Sequence, residues 1–425
     1  MKNIVICCDG TGNEISENIS NVLKLYRTLR KTEKTTPRQM VFYDPGVGTL
    51  ARPDPWHKLK QDFNAILGLA TGYGLDDNVL AAYSFLVHNW QDGDQIYLFG
   101  FSRGAYTVRV LAGLIHKVGL IAPEQVNLAG SSLIAYKQFS SDVAPKFGPD
   151  LAALTDAGSD EDGPLPSSAF DNAAQFARIT SARLPTIRFV GVWDTVASVI
   201  VPRPDRFYWP SLEELAFTLQ NPSVKTFRQA ISIDERRCMF RCKKWDEPQT
   251  FMHNRFNDAH AEPQDILQVW FSGVHGDIGG GYPEAQSGLS KYPLIWMIEE
   301  AVKCGLQVNP RNVNQLAWGK QRKGSPFSYV APDVRGEVHT SLKGAWWLLE
   351  FLPKSAKYKE WPARSAHFGF YIPDAEPRLI PEDAWVHESV VKRMDALPGY
   401  RPVNLPTSFK TVPVPPVAHT APEEA

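Results

Sequence analysis

One stretch constrains the fold more than any other: Asp94-Gln-Ile-Tyr-Leu-Phe-Gly-Phe-Ser-Arg-Gly-Ala-Tyr-Thr-Val-Arg-Val-Leu-Ala-Gly113. The apolar, aromatic run from Ile96 to Phe101 predicts a buried strand. The chain then turns within Gly100-Phe-Ser-Arg-Gly104 and continues with Tyr106, Val110, Leu111 and Leu114 at helical spacing. A strand that reverses into a helix across Gly-x-Ser-x-Gly is a nucleophile elbow, with Ser102 on a strained turn and its hydroxyl exposed. Gly100 and Gly104 lack side chains because strand and helix pass too close there for a Cβ. The pentapeptide alone is a weak signal, and a serine at this point also reads as a helix N-cap. Its position between a strand and a helix carries the assignment.

Three more loops follow apolar strands. Ile4 to Cys8 runs into Asp9-Gly-Thr-Gly-Asn13, a glycine-rich turn at a strand end, where open α/β sheets bind ligands. Gly10, Thr11 and Gly12 are expected to supply an oxyanion-hole donor. They could instead cradle a phosphate, with Asp9 fixing the loop, ligating a metal or attacking as a phosphatase nucleophile. Arg188 to Trp193 ends in Asp194-Thr195, where a third triad member belongs. Ile266 to Val274 ends in His275-Gly-Asp-Ile-Gly-Gly-Gly-Tyr282, and His275 follows Ser and Asp in chain order as the general base. Asp277 supports that loop. A competing reading gathers Asp9, Asp194, His275 and Asp277 as a metal-dependent phosphoesterase site, and a third is a non-catalytic interaction module on a hydrolase scaffold. His253 and His260 are the fallback bases.

Strand and helix patterns alternate. Helices are expected at 16–31, at 58–90 in two parts broken at Gly72-Tyr-Gly74, and at Leu289–Cys304, with a further strand at Met40–Tyr43. The class is therefore α/β, with a mostly parallel central sheet and helices on both faces. A core at 1–305 is expected, with insertions at about 120–180 and 200–262, the second holding one helix near Leu212–Leu219. Residues 306–403 should pack on that core, and the Pro-rich 404–425 should be disordered. Trp346-Trp347 lies in an apolar patch, read first as packing and second as a lipid-facing surface.

A formal net charge of -1, with no Lys/Arg run, excludes a nucleic-acid-binding surface. No signal-peptide h-region and no run of about 18 apolar residues is present, so cytoplasmic synthesis without a membrane span is expected. The five cysteines show no zinc spacing and read as free thiols, and no cofactor or metal is expected.

Taken together, Asp9-Gly-Thr-Gly-Asn13, Gly100-Phe-Ser-Arg-Gly-Ala105, Trp193-Asp-Thr-Val196 and His275-Gly-Asp-Ile-Gly-Gly-Gly-Tyr-Pro283 resemble the motifs of one α/β-hydrolase family. It is the domain of unknown function 2235 family, which includes the first class of type VI secretion phospholipase effectors. Ile233-Asp-Glu-Arg-Arg237 and Gly288-Leu-Ser-Lys-Tyr-Pro-Leu-Ile-Trp-Met297 look like its flanking motifs, and the likeness covers roughly residues 3–305. The resemblance implies an α/β-hydrolase fold and a serine esterase acting on phospholipid or other lipid acyl esters. In it Ser102 is the nucleophile, Asp194 the orienting acid and His275 the base; the elbow itself is expected to place the Arg103 N–H in the oxyanion hole. The resemblance also implies a peripheral membrane contact, export by a type VI-like system, and a secretion-apparatus or immunity protein as partner. The secreted effectors carry a long additional membrane-binding region, which little beyond residue 305 is expected to provide here.

Overall fold

The computed structural model describes residues 1–10, 18–46, 74–143, 167–196, 200–202, 210–212, 215–254, 258–344, 346–356 and 359–415. Eight strands make one sheet: β1 (Asn3–Cys8), β2 (Gln39–Asp44), β3 (Gln95–Phe101), β4 (Ile187–Trp193), β5 (Val224–Ser232), β6 (Asp265–Phe271), β7 (Ala384–His387) and β8 (Phe409–Val412). Their order is β8-β7-β6-β5-β4-β3-β1-β2, and every neighbouring pair is parallel. The ten helices named here are α1 (Asn21–Thr28), α2 (Leu75–Asn89), α3 (Arg103–Lys117), α4 (Ala129–Val143), α5 (Ser167–Ile179), α6 (His275–Gly279), α7 (Lys291–Lys303), α8 (Pro310–Leu316), α9 (Trp346–Glu350) and α10 (Glu388–Ala396).

An all-parallel sheet needs cover on both faces, so its inner strands are apolar on both sides. Side chains alternate accordingly. Ile4, Ile6, Ile96 and Leu98 pack with α2 and α3 on one face. Val5, Cys7, Tyr97 and Phe99 pack with α1 and α7 on the other. Trp193 and Trp296 are fully buried in this second layer, and burying a large apolar side chain is worth about 1.5–3 kcal/mol. All five cysteines are free thiols. Among the described residues no helix is long and apolar enough to cross a membrane.

The chain order sets where a ligand can sit. β1 and β3 are neighbours, with β2 on one side and β4 onward on the other. The direction of winding reverses between β1 and β3, and ligands bind outside the carboxyl ends of strands at such a point. The register aligns those ends: Cys8 with Gly100, Phe101 with Trp193, Trp193 with Ala230, and Ser232 with Phe271. The loops after β1, β3, β4, β5 and β6 therefore all open on one edge.

Three expectations are corrected. The excursion at 200–262 contains β5, a central strand, and its described residues around 215–220 form turns in place of a helix. Residues beyond 305 do more than pack on the core, because β7 and β8 extend the sheet. The tail expected from 404 first supplies β8 before leaving the described residues. Ile231, Ile233, Trp270, Ile380, Val386 and Val390 form a third apolar cluster that joins these late elements to β5 and β6. The helix expected before Gly72 lies outside the described residues.

Candidate active site

Ser102 sits between β3 and α3 at φ 57° and ψ −121°. This region costs a non-glycine residue about 1–3 kcal/mol, and such strain is held only where the surroundings over-determine it. Here the Ser102 N–H donates to the Trp193 carbonyl (3.1 Å), and the Ser102 carbonyl accepts from the Tyr106 N–H (3.3 Å). The two flanking glycines show how tight the turn is. A Cβ on Gly100 would lie 2.4 Å from the Gly104 carbonyl oxygen, and one on Gly104 would lie 2.1 Å from the Cys8 carbonyl oxygen.

Asp194 follows β4, also at positive φ (41°), with its N–H on the Ala230 carbonyl (2.8 Å). It is fully buried. His275 opens α6 after Gly273, whose φ is 116°. Its Nδ1 lies 2.5 Å from Asp194 Oδ2, and its Nε2 lies 2.8 Å from Ser102 Oγ. The imidazole is held between two rings, Phe101 at 4.7 Å and Phe240 edge-on at 4.8 Å. Ser102 exposes 7% and His275 6% of its surface, so both are buried at this edge of the sheet.

Burial works against ionisation here, and specific partners answer it. It pushes the Asp194 carboxyl up, but the Arg378 guanidinium and His275 outweigh it and hold the group well below the usual carboxylate range. Burial lowers His275, and Asp194 opposes that without cancelling it. Asp194 Oδ1 also accepts from the Ser232 N–H at 3.0 Å. The unit can thus keep a neutral imidazole between a hydroxyl and an ionised carboxylate, the arrangement a general base requires.

Buried Glu235, its half-buried partner Arg237, and buried Arg378 frame the His275–Asp194 pair. Glu235 accepts the His275 N–H at 3.2 Å and pairs with Arg237, whose guanidinium lies over the Phe240 ring at 3.5 Å. Burial raises Glu235, but Arg237 prevails and brings it down to about 2. Both residues belong to the Ile233–Arg237 motif, a stretch whose sequence reads as lining the site or bracing it. The sequence carries no signal for Arg378.

The other expected residues fall as follows. Asp9 accepts from the Gly10 N–H (2.8 Å), from Tyr43 Oη (2.9 Å) and from Ser20 Oγ, so it fixes the loop after β1. The Gly10 N–H is therefore already engaged by Asp9, while Thr11 and Gly12 lie outside the described residues. Arg103 begins α3 with its side chain buried, which lowers its guanidinium to about 10. Asp277 accepts from the Val274 N–H (3.0 Å) and pairs with His339 Nδ1 (2.6 Å), and Tyr282 stacks on His339 at 3.6 Å. Asp9, Asp194 and Asp277 thus serve separate partners. Among the described residues no group of three or more His, Cys, Asp or Glu side chains is arranged to hold a metal.

His253 pairs with Glu262 at 3.6 Å and lines a separate cavity of about 360 Å³ with His116 and Ser223, away from Ser102. His260 is exposed. Trp346 packs edge-on against Phe240 at 5.3 Å, while Trp347, Leu348, Phe351 and Leu352 are exposed.

Residues 2–300 match the family described as the type VI secretion Tle1-like phospholipase effector, catalytic domain. An uncharacterized Saccharomyces cerevisiae protein, YEL023C, is 23% identical over 578 aligned positions, covering 95% of this chain and 80% of the yeast protein. An uncharacterized Pseudomonas aeruginosa protein of known structure shares 19% identity at a TM-score of 0.36, over 73% of this chain and 47% of its own. The Tle1 effector bound to the VgrG spike shares 18% identity at a TM-score of 0.32, over 68% and 52%. This chain therefore spans about half the length of those two solved chains. The family match takes in Ser102, Asp194 and His275, and ends before Arg378. The chain belongs to the Tle1-like catalytic-domain family of type VI secretion phospholipase effectors.

Proposed function

We propose that the chain is a serine esterase that hydrolyses lipid acyl esters, phospholipids foremost, through Ser102, His275 and Asp194. The observation that carries the reading is Ser102 at positive φ on the elbow, with His275 Nε2 2.8 Å from its Oγ and Asp194 behind the imidazole. Family membership supplies the substrate class.

His275 takes the Ser102 proton as Oγ attacks the ester carbonyl, and Asp194 stabilises the imidazolium. The Arg103 N–H, next after the nucleophile, meets the developing oxyanion together with a donor from the loop after β1. Because Asp9 occupies the Gly10 N–H, that second donor falls to Thr11 or Gly12. Collapse expels the alcohol, protonated by His275, and leaves an acyl-Ser102 ester. Water activated by His275 then releases the fatty acid.

The exposed side chains of Trp347, Leu348, Phe351 and Leu352, next to Trp346, give a peripheral membrane contact a place beside the site. The family's description as type VI effectors extends the proposal to export by such a system, with a secretion-apparatus carrier and an immunity partner.

The test is hydrolysis of short p-nitrophenyl esters and of phosphatidylglycerol vesicles, with fatty-acid release followed by mass spectrometry. Free fatty acid from the vesicles supports the lipid reading. Cleavage of the simple esters alone would keep the esterase and remove the lipid.

A further inference from the structure

The side chain that holds Asp194 from behind comes from beyond residue 300, where the family match ends. Arg378 donates from Nη1 to Asp194 Oδ1 at 2.5 Å and from Nη2 to Oδ2 at 3.0 Å, a two-pronged pairing. The same two nitrogens also donate to the Ser232 and Phe240 carbonyls (3.2 and 2.5 Å). Arg378 is itself fixed, since Asn404 Nδ2 bridges the Arg378 and Ile233 carbonyls at 3.1 and 3.0 Å. Arg378, Asp194 and Asn404 are all buried.

We propose that Arg378 is a positioning residue of this reaction: it fixes the plane of the Asp194 carboxylate for His275 and cancels enough of its charge to keep His275 a neutral base. The inference rests on the esterase reading above. A carboxylate buried without a counter-charge draws a proton onto itself or its imidazole partner, and an adjacent cation prevents this. The other ionisable groups facing the pair do not replace Arg378. Glu235 and Arg237 neutralise one another, and burial pushes the Cys242 thiol up to about 12, so it stays neutral. Loss of the guanidinium therefore leaves one uncompensated negative charge beside His275. Residues beyond the family's catalytic domain are in this way part of the catalytic apparatus.

The test uses the full chain, with kcat and KM for p-nitrophenyl butyrate measured across pH for wild type, Ser102→Ala, Arg378→Gln and Arg378→Lys. Circular dichroism checks each fold. A wild type that does not turn over, or a Ser102→Ala variant that does, removes the esterase reading and this inference with it. With that control passed, Arg378→Gln moves the acid limb of kcat/KM upward by about one pH unit or more. Arg378→Lys keeps the limb within roughly half a unit, because the charge remains. A folded Arg378→Gln enzyme with an unmoved limb reduces Arg378 to a brace and overturns the proposal. Should the Gln variant not fold, Arg378→Lys decides alone. One ammonium cannot fix the carboxylate plane, so kcat falls about 10- to 100-fold at unchanged KM, and a wild-type kcat overturns the proposal.

Discussion

Gly104 passes the Cys8 carbonyl so closely that a Cβ on it would lie 2.1 Å from the oxygen and 2.5 Å from that of Asp9. The first turn of α3 is thereby pressed onto the end of β1, and the elbow meets the Cys8–Asp9 backbone directly. Both atoms met are buried backbone oxygens, Cys8 at the last rung of the parallel β1–β3 pair and Asp9 just beyond it, so neither side can give way cheaply.

Gly104→Ala accordingly destabilises the fold by about 1–3 kcal/mol or more. Urea unfolding measures it, and a midpoint equal to that of wild type would show that the contact is looser than described.

Activity should persist below the ordinary histidine range. His275 must be neutral to accept the Ser102 proton, and burial lowers it, so kcat/KM holds its plateau at about pH 6.5 and falls only below it. Stability has the same sign. Asp194 and His275 both bind protons more weakly folded than unfolded, so acid favours unfolding. The His275 cost sets in as pH falls through about 6.5. The Asp194 contribution is complete above about pH 4 and is lost as pH falls toward its depressed folded value. An unfolding free energy that does not fall as pH drops from about 7 to 5 would contradict the His275 assignment, and one that does not fall below about pH 4 would contradict that of Asp194.

Glu284 is shared by two buried lysines, Lys24 Nζ at 2.9 Å and Lys291 Nζ at 2.5 Å. Burial, reinforced by Lys24, brings Lys291 down to about 7 against the opposing pull of Glu284. Glu284→Gln removes the carboxylate that Lys24 and Lys291 share and costs about 3–5 kcal/mol in urea unfolding. A loss under about 1 kcal/mol would mean water already reaches the cluster. In the wild type the unfolded chain holds the Lys291 proton up to 10.5 and the folded chain only to about 7. This group alone therefore makes stability rise with pH between those values.

Much of the site was legible because its parts are local. Ser102, Asp194 and His275 each end an apolar run that forms an inner strand, and a parallel sheet brings such ends to one edge. What was missed depends on partners distant in sequence. Strand β5 reads Val-Lys-Thr-Phe-Arg-Gln-Ala-Ile-Ser, and Arg228 and Gln229 break the expected apolar run. They are tolerated because Arg228 pairs with Glu300 and Asp265, and Gln229 accepts from Arg109. Arg378 lies 184 residues from Asp194 in a Pro-rich segment with no periodicity, so nothing local marks it. β8 is a four-residue edge strand between prolines, which composition alone reads as tail.

If Ser102 is a nucleophile activated by His275 without a metal, it reacts covalently with a serine-directed phosphonate. A fluorescent fluorophosphonate tests this most directly, applied with and without excess chelator to wild type, Ser102→Ala and His275→Ala, with circular dichroism as a check on folding. Wild type should be labelled covalently whether or not chelator is present, Ser102→Ala not at all, and His275→Ala about 100-fold or more slowly. Unlabelled wild type, or labelling that survives Ser102→Ala, would contradict that role for Ser102.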